Sequence, residues 1–250
     1  MTVDSNVALD NCINDWKQAT EQYNSDAATL QQECDTLGQM CDEGNAAGAF
    51  QYAMNRVMSL TMNTQGDGLN VLAASQNVST QIGTELTDLQ SISNSAPNIT
   101  NQQAQQYVTT VQGLYSSLLG QANGDPSNQW CDQSTAQSYV SALGQLTQSL
   151  GAESPTQLTS TQVLQQNDWA ADVNATFSLN GSDLTGSQLI ANVNDCDSNL
   201  TSLSNSQNSA LQAETQYATN NYTQIENSWQ GMLTSLTQQY TAMVNNLKIA

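Results

Sequence analysis

The chain has no histidine and only three cations, Lys17, Arg56 and Lys248. Between Arg56 and Lys248 it carries thirteen Asp or Glu residues and not one Lys, Arg or His. Each absence excludes a kind of chemistry. Without histidine there is no imidazole to act as general base, metal ligand or titrating switch near neutrality. Three scattered cations cannot grip a phosphate, and a net charge of −19 opposes nucleic acid, whose binding rests on Lys and Arg displacing counterions. An anionic membrane surface is disfavoured for the same reason. Only three prolines interrupt the 250 residues, and no run of eighteen apolar residues exists to span a bilayer.

Hydrophobic residues are also scarce, at 38%, below the ~45–50% of ordinary globular domains, and charged residues are only 10% against roughly 25%. Asn, Gln, Ser and Thr fill the gap. Five cysteines (Cys12, Cys34, Cys41, Cys131, Cys196) stand at wide, irregular spacings with no Cys-x-x-Cys, so no metal or redox motif is present. They read as small buried residues, with Cys12 to Cys196 as the sharper alternative of a cross-link between the first and last helices. The opening Met1-Thr2-Val3-Asp4-Ser5-Asn6 lacks the basic and apolar regions of a secretory signal. Six Asn-x-Ser/Thr sequons, at Asn77, Asn98, Asn174, Asn180, Asn199 and Asn221, are what chance supplies in so polar a chain.

The apolar residues that remain are placed with a helical period. Ile13, Thr20, Ala27, Cys34 and Cys41 occupy one heptad position and Trp16, Tyr23, Leu30 and Leu37 the other, a seam for lengthwise helix packing that Gly38 is expected to end. Residues 45–62, with Phe50, Met54, Val57, Met58 and Leu60, read as a short core helix or as a membrane-contacting or partner-binding one, with Arg56 paired to a carboxylate. Gly66-Asp67-Gly68 reads as a turn. Amphipathic runs follow from Val71 to Ile92, from Tyr107 to Leu118 and from Trp130 to Leu150, with loops short enough for antiparallel neighbours. Residues 151–186 are less regular, a short helix around Val163, Leu164 and Trp169 and then an extended, turning stretch from Ala175 to Gly181, read as an insertion between helices. From Ser187 to Lys248 apolar residues recur every three or four positions without a proline, so a helix near sixty residues is expected there.

The expected fold is therefore all-α: one elongated helical domain over 1–250 whose long N- and C-terminal helices form a coiled-coil hairpin. The search for chemistry ends empty, with no catalytic, cofactor-binding or metal-ligating set predicted. Asp195 and Asp197 are two apart and face different sides of a helix, and Leu200 stands where a calcium loop needs glycine. What remains is interaction. The predicted interface comprises Trp16, Tyr23 and Leu30 of the first helix and Tyr222, Ile225, Trp229, Met232, Leu233, Leu236, Tyr240, Met243 and Leu247 of the last.

With those amphipathic helices at both ends, Ile13 to Leu37 and Leu200 to Leu247, and its Asn-, Gln-, Ser- and Thr-rich composition, the chain resembles the needle-extension filament and needle-tip translocator proteins of type III secretion. The resemblance implies a non-enzymatic structural protein, secreted or at the cell surface without a Sec signal, that self-assembles through coiled-coil packing into a filament or tip. Its expected partners are further copies of itself and an export chaperone, with no nucleic acid, membrane or cofactor. The alternative is a helical module of a secreted effector or adhesin that binds a partner protein through the Phe50 to Leu60 helix.

Overall fold

The computed structural model describes residues 5–124 and 130–247, and the chain is all-α. Helix α1 runs Ser5–Asp42. It stops at Gly44 and not at Gly38. Gly44 takes the left-handed conformation (φ 75°), its N–H bonds Cys41 O at 3.1 Å, and Asn45 N–H bonds Met40 O at 3.0 Å, a full Schellman cap that only a residue without Cβ adopts readily. Gly38 has no such cap after it, so the helix continues through it.

Asn45 then opens α2, Ala46–Tyr52, by accepting from Gly48 N–H. A π-helical turn, Ala53–Val57, leads without a break into α3, Met58–Ser93. The expected turn at Gly66-Asp67-Gly68 is thus the interior of a helix. Two interior glycines cost about 1 kcal/mol each relative to alanine, and the apolar period running from Leu60 to Ile92 on both sides outweighs them.

Three later helices start with one device. Thr100 and Gln103 form a reciprocal capping box at α4, Asn101–Ala122, and Thr159 and Gln162 do the same at α6, Ser160–Ala171. At α7, Gly186–Leu247, Gln188 N–H donates to Thr185 Oγ1 at 3.3 Å while Thr185 N–H donates to Gln188 Oε1 at 2.9 Å. Each pair satisfies two N-terminal groups the helix leaves unbonded. Asp132 caps α5, Gln133–Ser149, by accepting from Thr135 N–H.

Residues 151–186 hold a short helix and a strand hairpin and contribute buried side chains to a core. After a short 3₁₀ turn, Pro155–Gln157, α6 buries Val163, Gln166 and Trp169. Strands β1, Thr176–Leu179, and β2, Ser182–Thr185, form an antiparallel hairpin with Leu179 opposite Ser182. Asn180 and Gly181 both have positive φ (53° and 78°), the geometry of the type I′ turn that matches strand twist.

Contacts divide the chain into two compact units, residues 1–17 with 74–211 and residues 18–73 with 212–250. In the first, α4 packs on α5 and α6 around fully buried Tyr107, Leu114, Leu118, Trp130, Tyr139 and Leu143. Asn167 of α6 clamps the α3–α4 loop there, accepting from Ile99 N–H at 2.8 Å and donating to Ile99 O at 2.9 Å. The second unit is built of the remaining lengths of α1, α3 and α7 with α2. Among the described residues no helix is long and apolar enough to cross a membrane.

Candidate interaction face and buried acids

The predicted interface residues fall into three groups. Trp16 is buried in the first unit, so it anchors that core and does not join the others. Tyr23 and Leu30 belong to the second unit and line one cavity there with Ala218 and Asn221 of α7. Helix α3 supplies the third wall, from Thr61 to Leu72, so three helices meet at this level. Along α7, Tyr222, Ile225 and Trp229 are half-buried and Leu233 is exposed, while Met232 is 46% exposed. The side chains of Leu236, Tyr240, Met243 and Leu247 lie outside the described residues.

The cysteines do not follow the buried, small-residue reading. All five are free, and Cys34 and Cys41 are exposed. The heptad seam explains this: Leu9, Ile13 and Trp16 are buried, whereas from Tyr23 onward the same positions of α1 are half-buried or open.

Arg56 is paired, as its isolation in an acidic chain suggested. Its Nε donates to Glu33 Oε1 at 2.9 Å, and Tyr52 OH donates to the other oxygen, Glu33 Oε2. Tyr52 ends α2 and Arg56 stands four residues on, in the π turn, and both reach the same carboxylate of α1. The Tyr52 hydroxyl and then the Arg56 guanidinium hold the Glu33 carboxyl below its ordinary range. Burial, and then Asp26 beside it, push Asp67 up.

Sequence reasoning missed two acids in the first unit. Glu85 of α3 is 0% exposed and Asp197 of α7 is 2% exposed. Glu85 lies near Asp10, Asp88 and Cys12, and Gln81 Nε2 donates to its Oε1 at 3.4 Å, but Oε2 has no partner. Asp197 lies beside Ser93, Tyr107 and Cys196. Ser93 is close enough to favour the charged form, yet neither oxygen of Asp197, nor Ser93 Oγ or Tyr107 OH, makes a hydrogen bond of good geometry. Loss of water around a carboxylate penalises its charged form, so burial raises both acids to about 7. A signal for them existed. Asp197 follows Leu189 and Val193 and precedes Leu200 at steps of four and three, and Glu85 sits likewise among Val78, Ile82 and Leu89, so each acid occupies a core position of its helix.

Asp195 is exposed while Asp197 is buried, so the two carboxylates do diverge and give no acid–base pair. Among the described residues no cluster of three or more Cys, Asp or Glu could hold a metal ion. No family model, curated protein or solved structure matches the chain.

Proposed function

We propose that the chain is a non-enzymatic structural protein that assembles with copies of itself through the helical faces of its second unit, as the subunit of an extracellular filament or tip does. One observation carries the reading. Beyond Leu211, α7 has no buried side chain among the described residues, although apolar residues recur along it at the spacing of a packing face. A helix with such a stripe gains most of its stability by burying it, and a second copy offers a self-complementary surface to do so. The coiled-coil packing of first and last helices and a role in a secretion apparatus belong to the same proposal.

The test is association measured by light scattering and negative-stain electron microscopy over a sodium chloride series. Copies bearing −19 each repel until salt shortens the screening length, from ~30 Å at 0.01 M to ~8 Å at 0.15 M. Assembly is expected to rise with salt and to be lost in Trp229→Asp, with the helical circular dichroism retained. Assembly that weakens with salt, or that ignores Trp229→Asp, overturns the proposal. A second reading, a module that binds a different protein through α2, is supported by Phe50, which is 47% exposed. A chain monomeric at every salt concentration supports it over the first.

A further inference from the structure

The second unit holds a cavity of about 550 Å³, within the ~300–1,000 Å³ of small-molecule sites. Tyr23 and Leu30 of α1 and Leu69 and Leu72 of α3 give it an apolar body, and Gln31, Gln65, Asn221, Thr64 and Cys34 add uncharged polar groups. Thr64 is the informative one. It is 7% exposed, and its Oγ1 has no hydrogen-bond partner. Its neighbour Thr61, also lining the cavity, spends its hydroxyl on Val57 O at 2.8 Å, the usual outcome for a threonine inside a helix. A buried hydroxyl left unsatisfied costs free energy that a ligand group at the right place would recover.

The lining carries no Asp, Glu, Lys or Arg. Carboxylates stand just outside it, each one residue before a lining position: Asp26 before Ala27, Glu33 before Cys34, Asp67 before Gly68. These would repel an anionic head group. A cationic head group is drawn to these carboxylates only at the rim, and on entering it gives up its water for a lining that holds no carboxylate to replace it. Chemistry and charge thus select an uncharged occupant with an apolar body.

We propose that this cavity binds a neutral amphiphile, a medium-length alkyl or aromatic group bearing one hydroxyl or carbonyl that pairs with Thr64 Oγ1. The site does not depend on self-assembly and is tested at low salt, where copies repel.

Decanol, decanoate and decylammonium are compared as competitors of a neutral naphthylamine dye, with binding at the cavity read by protection of Cys34 from iodoacetamide. Cys41, exposed on the same helix and not part of the lining, is the internal control, and mass spectrometry separates the two sites. Decanol is expected to displace the dye saturably and to slow Cys34 alkylation without slowing Cys41, while decanoate and decylammonium bind at least tenfold more weakly. Thr64→Val keeps the shape and removes only the unpartnered hydroxyl, so it should fold as the parent does and bind decanol about fivefold more weakly. Gly68→Leu, which fills the space beside the Tyr23 ring, should abolish protection. The proposal is overturned if decanol leaves Cys34 unprotected, if either charged analogue binds as tightly, or if Thr64→Val binds decanol like the parent. It also falls if Cys34 is already shielded in a ligand-free oligomer, which would make the cavity part of the contact between copies.

Discussion

The same three long helices, α1, α3 and α7, run through both units, with similar composition and similar apolar spacing, yet they end in two different states of packing. Where α4, α5 and α6 add further faces, in residues 1–17 and 74–211, the apolar stripes are largely covered, and even Glu85 and Asp197 lose nearly all contact with water. In residues 18–73 and 212–247 only Ala49, Val57 and Thr64 are buried among the described side chains. The difference teaches that an amphipathic period states how much surface a helix offers for burial, while the number of neighbours decides how much is buried. One region is a well-covered core with two smaller pockets at its surface, and the other is a framework with a larger cavity and an open face. Stability should therefore answer to different perturbations in each.

The largest contrast lies in pH. The folded-state values of Asp197 and Glu85, both about 7, exceed the ~4 of an unfolded carboxylate. Below pH 4 both acids are protonated in either state and their full contribution is present. As pH rises from 4 through 7 the unfolded chain releases protons first, and stability falls, on the order of 3 kcal/mol for each acid. Asp132 runs the other way: hydrogen bonds from Ser134 and Thr135 hold it at about 2, so its contribution is present above pH 4 and lost as pH drops toward 2. With no histidine in the chain, no imidazole confuses the range from pH 5 to 8. Urea unfolding followed by circular dichroism at pH 4.5, 6 and 7.5 should show stability declining. Asp197→Asn and Glu85→Gln should each remove part of that slope and raise stability at pH 7.5. A slope unchanged in the double variant would mean the acids are not sealed in the core.

Next in size is the cost of cutting a core leucine. Leu143, fully buried in α5, should lose about 3 kcal/mol or more on truncation to alanine, a transfer and a cavity cost together. Leu30, half-buried beside an existing cavity, should lose about 1 kcal/mol, because much of its surface is already without neighbours. Denaturant midpoints and local hydrogen exchange measure both. Equal losses would erase the distinction between a dense and a thin region.

The period of apolar residues was enough to identify the all-α class and to place α4, α5, α7 and the part of α3 after Val71, because those stretches bury leucines and valines at regular steps. Asn180-Gly181 announced its hairpin turn, since few other pairs accept two positive φ values. The threonine–glutamine boxes at Thr100, Thr159 and Thr185 do not read as helix starts in the sequence, because in a chain so rich in both residues a Thr-x-x-Gln spacing recurs at many places. The glycines of the Gly66-Asp67-Gly68 stretch misled, because local preference yields to packing on both flanks. The buried acids were hidden for a related reason: an acid at a core step reads as a gap in the stripe, and only the added faces of neighbouring helices remove the water around it. The cavity depends on three distant segments meeting, which no spacing within one of them discloses.

The smallest effect is the sharpest, because two glycines of the single helix α3 should respond with opposite signs. A Cβ built on Gly66, in the second unit, meets nothing within 4 Å, so Gly66→Ala gains the helix preference of alanine at no steric cost, about 0.5–1 kcal/mol. A Cβ on Gly83, in the first unit, falls 2.9 Å from Ser204 Oγ of α7. Ser204 is itself buried, and its hydroxyl can escape only by turning to another staggered position beside the small pocket that it lines with Gly83, so crowding should outweigh the same preference and cost about 1 kcal/mol net. The cause can be isolated. Ser204→Ala removes the colliding hydroxyl, which lies beside Tyr139 OH without a hydrogen bond of good geometry to lose, and in that background Gly83→Ala should turn from destabilising to stabilising. Thermal midpoints suffice, since ~1 kcal/mol moves the midpoint of a chain this long by roughly 2–4 °C. If Gly66→Ala and Gly83→Ala both stabilise without Ser204→Ala, the first unit is packed no more closely than the second, and the contrast between well-covered core and open framework fails at the place where it is most precisely stated.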